Sequence, residues 1–155
     1  MRIGFGYDIH RLKRGRRLVL GGVALPAHKG EAGHSDGDVL LHALIDALLG
    51  AAGLQDIGEY FPPGDARLRN IASTELLKET LRLIRAKGFN IKNIDLVIIL
   101  EKPYLKDHKE QIKSNLASLL DLRIEDIAVK AKTKEGLDST GKGRAIEAYA
   151  VVLLQ

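Results

Sequence analysis

The chain has no cysteine and no tryptophan among its 155 residues. Without cysteine there is no disulfide framework, no thiolate metal site and no thiol nucleophile. Any bound metal must rely on histidine and carboxylate. Aromatic residues make up only 5% of the chain. That argues against a protein that recognises single-stranded nucleic acid by base stacking. No apolar run approaches the roughly 18 residues that a membrane-spanning helix needs. The first residues lead straight into a strand-like segment with no signal-peptide pattern, so the expected location is the cytoplasm. Neither sign of charge dominates: 24 basic residues stand against 20 acidic ones, a net charge of +4. This balance suits a phosphorylated small molecule, and no nucleic acid or membrane partner is expected.

What is present is enough apolar material, 45% of residues, for a real core. The length fits one compact domain over residues 1–155. Residues 2–10 read as a strand and 11–17 as a basic loop. Residues 18–26 read as a short hairpin around Gly21-Gly22. Residues 27–37 read as a loop, with Asp38 as N-cap of a helix that Gly50 and Gly53 stop. The span 54–72 looks irregular. A second helix runs from Ser73, a good capping residue, to Lys87. A central strand covers 95–100, a third helix 106–120, and two further strands 127–132 and 146–154. The expected fold class is α/β (α+β), a sandwich of one mixed β-sheet covered by about three helices.

The first helix carries the main chemical signal. It is apolar all round except for His42 and Asp46, which share a face at i and i+4, with Asp38 extending the stripe. A buried polar stripe needs a partner. Asp8 and His10 lie two apart in a strand, so they too share a face. One Asp and two His give three ligands with a fourth position open, the pattern of a catalytic zinc. Each residue taken alone also has an ordinary role, as a surface or core polar group.

Two loops add to this. Gly33-His34-Ser35-Asp36-Gly37 leads into the first helix and can orient ligands or sugar hydroxyls. Residues 130–144 are basic, Gly-rich and hydroxyl-rich, which suits a phosphate cradle. Glu135 among those cations can hold a divalent ion brought by a diphosphate. Gly136 to Lys142 imitates a P-loop, but Gly143 stands where Ser or Thr would hold magnesium, and a strand follows instead of a helix.

Taken together, these segments resemble a known family, the 2-C-methyl-D-erythritol 2,4-cyclodiphosphate synthases of the non-mevalonate isoprenoid pathway. The resemblance is carried by Arg2 through His10, by His34 through Asp38, and by His42 through Ala52. Asp56-Ile57-Gly58, Phe61-Pro62, Lys130-Ala131, Thr133, Glu135, Thr140-Gly141 and Gly143 extend it over nearly the whole chain. It implies a homotrimeric phosphorus–oxygen lyase with active sites at subunit interfaces. The implied substrate is the cytidine diphosphate ester of methylerythritol 2-phosphate. Its 2-phosphate attacks the β-phosphorus, CMP leaves, and a cyclic diphosphate forms.

The resemblance also implies roles. Asp8, His10 and His42 hold zinc, and Glu135 holds magnesium or manganese. His34 and Thr133 stabilise the transition state. Asp8, Ile9, His10, His34 and Ser35 contact the substrate around the zinc and its phosphorylated end. Asp56, Ile57 and Gly58 lie on the methylerythritol side, Asp46 steadies His42 or contacts that same sugar, and Phe61 and Asp65 are further substrate contacts. Leu100, Pro103, Tyr104, Leu105, Lys106, Ala131, Lys132 and Thr133 form the cytidine and diphosphate pocket, joined by Lys134, Ser139 and Lys142.

The chain departs from the family pattern at three places. Pro63 stands where Asp is usual, and Tyr104 where Lys is usual. Lys142 and Arg144 stand where the family reads Arg and Glu. The resemblance further implies a central trimer cavity that can hold an isoprenoid diphosphate. Lys142 and Arg144, with Tyr149 nearby, are expected to make it more basic. The rival readings are a non-catalytic basic metal-binding trimer, a zinc phosphodiesterase and a nucleic-acid binder.

Overall fold

The computed structural model describes residues 1–32, 36–62, 64, 65, 68 and 71–155. Among these, seven strands and five α-helices follow one another along the chain. They are β1 (Arg2–Arg14), β2 (Leu18–Leu20), β3 (Val23–Leu25), β4 (Lys29–Glu31), α1 (Val39–Ala51), α2 (Ile57–Tyr60), α3 (Ser73–Ala86), β5 (Ile91–Ile99), α4 (Lys109–Leu120), β6 (Ile127–Lys132), α5 (Asp138–Gly141) and β7 (Ala145–Leu154). Five strands form one sheet in the order β4-β1-β7-β5-β6, and β2 and β3 form a separate hairpin. The large sheet is mixed, because β5 and β6 are parallel while the other pairs are antiparallel.

The alternation along β1 sets the architecture. Gly4 and Gly6 face α1, while Ile3, Phe5, Tyr7 and Ile9 face away and stay exposed. A Cβ at Gly4 or Gly6 would run into the backbone carbonyl of Ala47 or Ala43, so α1 lies directly against the strand. On β7, Ile146, Ala148, Ala150, Val152 and Leu154 complete the floor beneath α1, and all are buried. Being apolar nearly all round, α1 is enclosed, with ten of its thirteen residues buried. Helix α3 packs beside α1, and α4 packs against β6 and β3. The helices therefore cover one sheet face, and the other is left apolar and open.

Several local expectations change. Strand β1 continues to Arg14 through the basic segment, because Leu12 to Arg14 pair with Lys29 to Glu31 in the span read as a loop. Asp38 is the N-cap of α1, as its side-chain bond to Leu41 N shows, but Gly50 lies inside the helix and Gly53, at φ 67°, ends it. Ser73 does not cap α3; the cap is Ala72, and Asp36 takes up the exposed amide instead. Helix α4 begins at Lys109 and β7 at Ala145. Two one-turn helices, α2 and α5, stand where no regular element was read. No helix among the described residues is long and apolar enough to cross a membrane.

Candidate functional site

Asp8 and His10 project from the helix-facing side of β1, and His42 projects from the first turns of α1 toward them. Asp8 Oδ2 lies 3.0 Å from His10 Nε2 and 3.2 Å from His42 Nδ1, and those two nitrogens are 3.3 Å apart. A tetrahedral ion with bonds of about 2.0–2.1 Å separates its ligand atoms by about 3.3–3.4 Å, so this triangle has nearly the size of one face of that tetrahedron. All three side chains retain some solvent exposure.

The outer nitrogens show that the donor set is chemically right for a cation. His10 Nδ1 lies 2.8 Å from Glu31 Oε2 and 2.6 Å from the Gly37 carbonyl oxygen. Both are acceptors, so Nδ1 keeps its proton and Nε2 is the atom that a metal would deprotonate and bind. His42 Nε2 lies 3.0 Å from Ser73 Oγ, which donates to Asp36 Oδ1 at 2.5 Å. The serine has one proton and the carboxylate can only accept it. Nε2 of His42 must therefore donate to Ser73, leaving Nδ1 as the inner, lone-pair atom. Each imidazole of the triangle thus has its other nitrogen held, the arrangement found around bound metals.

The site is rich in negative charge. Burial opposes the ionised form of Asp8, but the His10 and His42 rings beside it, in the forms that carry a proton toward it, outweigh burial and hold the carboxyl well below its ordinary range. Burial pushes His10 down, yet Asp8 and Glu31 overcome this and raise it to about 10. Glu31 has no solvent exposure, and burial pushes it up to about 8 against the pull of His10. A cation fits here as the natural counter-charge.

Asp46 does not reach the triangle directly. Its Oδ1 accepts from Ile57 N at 2.7 Å and ties α1 to α2, while burial raises its pKa. Asp56 caps α2 through Gly58 N at 2.9 Å. Asp46, Asp56, Ile57 and Gly58 thus form one continuous patch. Phe61 packs against the core, and the backbone amide of Asp65 bonds to the Pro62 carbonyl. Ile9 lies on the opposite, exposed face of β1. Asp38 turns away to bind the hairpin, accepting from Gly21 N at 3.0 Å and Gly22 N at 2.6 Å. His34, Ser35 and Pro63 lie outside the described residues.

The other half of the expected site is elsewhere. Leu100, Pro103, Tyr104, Leu105 and Lys106 follow β5, and Ala131, Lys132, Thr133 and Glu135 end β6 and begin the next loop. Leu100 N bonds to the Lys132 carbonyl, which joins the two segments. Thr133 Oγ1 lies 3.4 Å from Glu135 Oε1. Tyr104 is exposed, with Lys102 Nζ 3.4 Å from its ring centroid. Lys134 is engaged by Glu147 at 2.6 Å and Asp138 at 2.9 Å. Between β1 and β6 stand β7 and β5, which makes roughly 14 Å at ordinary strand spacing. Lys142 and Arg144 also part company. Lys142 lines a hollow of about 880 Å³ with Lys102 and Pro103, and Arg144 lines another of about 640 Å³ with Arg11, Lys29 and Ser139. Tyr149 lies instead against Tyr7 on the open sheet face.

Sequence reasoning missed Glu31 and the use of Ser73. The only trace of Glu31 was a carboxylate in an otherwise bland loop. Ser73 looked like a cap, and only the fold brings it to His42.

Known proteins resemble this chain in sequence and in fold. A model described as the YgbB family matches residues 1–155. The 2-C-methyl-D-erythritol 2,4-cyclodiphosphate synthase of Desulfosudis oleivorans is 54% identical over 154 residues, covering 99% of this chain and 92% of that protein. A solved structure described as that synthase in a CDP-bound form is 43% identical with a TM-score of 0.93, covering 99% of this chain and 100% of its own. The bifunctional IspDF of Campylobacter jejuni reaches a TM-score of 0.95 at 43% identity, with this chain spanning 42% of its length. The chain belongs to the YgbB family, that of the 2-C-methyl-D-erythritol 2,4-cyclodiphosphate synthases.

Proposed function

We propose that the chain, as one domain over residues 1–155, converts 4-diphosphocytidyl-2-C-methyl-D-erythritol 2-phosphate to the 2,4-cyclodiphosphate and CMP. The observation that carries this is the Asp8, His10 and His42 triangle, with both inner imidazole nitrogens turned inward, in a chain of this family. The CDP-bound synthase structure supports a cytidine diphosphate as one half of the substrate.

A zinc ion held by Asp8, His10 and His42, and a magnesium or manganese ion held through Glu135, would supply electrophilic neutralisation of phosphoryl oxygens. A single carboxylate such as Glu135 fits an ion that arrives with its own phosphate ligands. The protein's own residues do the rest. Leu100 to Lys106, with Ala131 and Lys132, hold the cytidine end. Asp46, Asp56, Ile57 and Gly58 hold the sugar-like end near the triangle, and His34 and Ser35 are assigned to the phosphorylated end. Fixing both ends brings the 2-phosphate to the β-phosphorus, so ring closure is mostly a matter of orientation. The phosphorus–oxygen bond to CMP breaks as the new one forms. Thr133 and His34 donate hydrogen bonds to the charge that builds on the transferring group. A phosphate dianion is already a nucleophile, so no general base is required.

The active unit is read as a homotrimer. Support comes from the open face bearing Ile3, Phe5, Tyr7, Ile9 and Val151, and from the separation of the two half-sites within one copy. A neighbour's β5 and β6 ends would complete the site over each triangle. A prenyl diphosphate in the central cavity would meet basic side chains such as Arg11, Lys29 and Arg144, which share one hollow. The cytoplasm is the proposed location.

Phosphorus NMR of the purified protein with substrate, zinc and magnesium tests the reading. CMP together with paired cyclic-diphosphate signals, abolished by His42→Ala, is expected. CMP with a linear bisphosphate would instead identify a phosphodiesterase, and no turnover would leave only a metal-binding protein.

A further inference from the structure

Ser73 opens α3 and has no solvent exposure. Its hydroxyl does no capping, because the N-cap position is Ala72 and no side chain of that residue bonds the helix. The Ser73 amide is satisfied by Asp36, whose carboxylate oxygens lie 3.2 and 3.1 Å away. The hydroxyl instead spans 3.0 Å to His42 Nε2 and 2.5 Å to Asp36 Oδ1. A buried hydroxyl between a carboxylate and an imidazole has one consistent proton arrangement: Nε2–H to Oγ, and Oγ–H to Asp36.

The other side of the ring makes that arrangement consequential. His42 Nδ1 lies 3.2 Å from Asp8 Oδ2, itself an acceptor for a ring proton. Asp8 and Ser73 therefore compete for the single proton of a neutral His42. If Asp8 takes it, Nδ1 becomes N–H and no longer presents a lone pair to the triangle. If Ser73 takes it, Nδ1 is a ligand.

We propose that Ser73, oriented by Asp36, is a positioning residue that holds His42 in the Nε2–H tautomer and turns Nδ1 toward Asp8 and His10. The consequence for binding rests on the reading of the triangle as a metal centre; the tautomer itself does not. Removing the hydroxyl leaves α3 its start, since the bonds from the Ser73 amide to Asp36 are backbone-donated and remain.

The test is Ser73→Ala in the full-length protein, read three ways. Nitrogen-15 long-range NMR of the metal-free protein should show His42 moving from Nε2–H toward Nδ1–H. Competition titration should show zinc affinity falling about 10- to 100-fold. The visible spectrum of the cobalt(II)-loaded protein should change, and Ser73→Thr, which keeps a hydroxyl, should restore all three. An Nε2–H tautomer unchanged in Ser73→Ala overturns the proposal, whatever the affinity does, because the hydroxyl would then act only through packing. A wild-type protein that binds no zinc would sink the metal reading instead, while the tautomer measurement still decides the role of Ser73.

Discussion

Glu31 Oε2 lies 2.8 Å from His10 Nδ1, and the same oxygen accepts from Val39 N at 2.8 Å. One buried carboxylate oxygen thus serves an imidazole of the triangle and the first turn of α1. Glu31→Gln keeps an acceptor for both but removes the ionisable carboxyl behind the ring. Zinc affinity is expected to fall about tenfold with helix content unchanged. Glu31→Ala should in addition cost about 1 kcal/mol of stability, as a lost helix cap does. Chelator competition and urea unfolding measure the two effects separately.

Gly6→Ala places a methyl group against the Ala43 carbonyl, which is backbone and cannot swing aside. The expected loss is about 3 kcal/mol, the upper part of the usual overpacking range. Gly50→Ala is the matched control. It lies inside α1 with open space around its would-be Cβ, so it should stabilise by about 0.5–1 kcal/mol. Equal effects from the two would mean that close approach of α1 to β1 is not what the glycine provides.

Phe5→Asp puts a charge in the middle of the open sheet face without touching the core, since Phe5 is 64% exposed in the single chain. Size-exclusion chromatography with light scattering should show the assembly falling apart into monomers. Those monomers should bind zinc as before yet turn over no substrate. A Phe5→Asp protein that stays trimeric would move the interface elsewhere.

Glu147 is nearly fully buried and receives bonds from Lys134, Thr140 and Tyr149. Burial alone would raise its pKa, but these donors win and lower it. A lowered native pKa means the unfolded chain takes up the proton first. The stabilisation is therefore fully present above about pH 4.5, the ordinary glutamate value, and is lost as pH falls below it. Urea midpoints between pH 3 and 6 should fall more steeply for the wild type than for Glu147→Gln. Parallel curves would show that Glu147 carries no such linkage.

The centre of the site was legible because it obeys local periods. Asp8 and His10 share a face through the two-residue repeat of a strand, and His42 stands out on an otherwise apolar helix. The central β5 and helices α1 and α3 were readable from apolar run and spacing. What was not legible depends on long-range pairing. Strand β4 exists only because Leu12 to Arg14 offer it an edge, and its three residues carry no hydrophobic signal. Ser73 scored as a cap by its residue type, yet Asp36 from 37 positions away does that work. Asp46 was placed on the right face, but its partner, Ile57 N, lies in a span that looked irregular. Lys142 and Arg144, two positions apart in sequence, open onto different hollows, a divergence that so short a spacing cannot announce.

The strands between β1 and β6 have a genetic meaning. A copy damaged in its Asp8, His10 and His42 triangle still has an intact β6 end, and a copy damaged at Glu135 still has an intact triangle. If each catalytic centre takes one half from each of two neighbours, two inactive alleles need not be jointly inactive. Co-expression of His42→Ala with Glu135→Gln would assemble mixed rings in which some junctions bring two undamaged halves together. Growth or turnover would then return where either allele alone gives none, whereas a site built within one copy would leave both alleles recessive and the mixture silent.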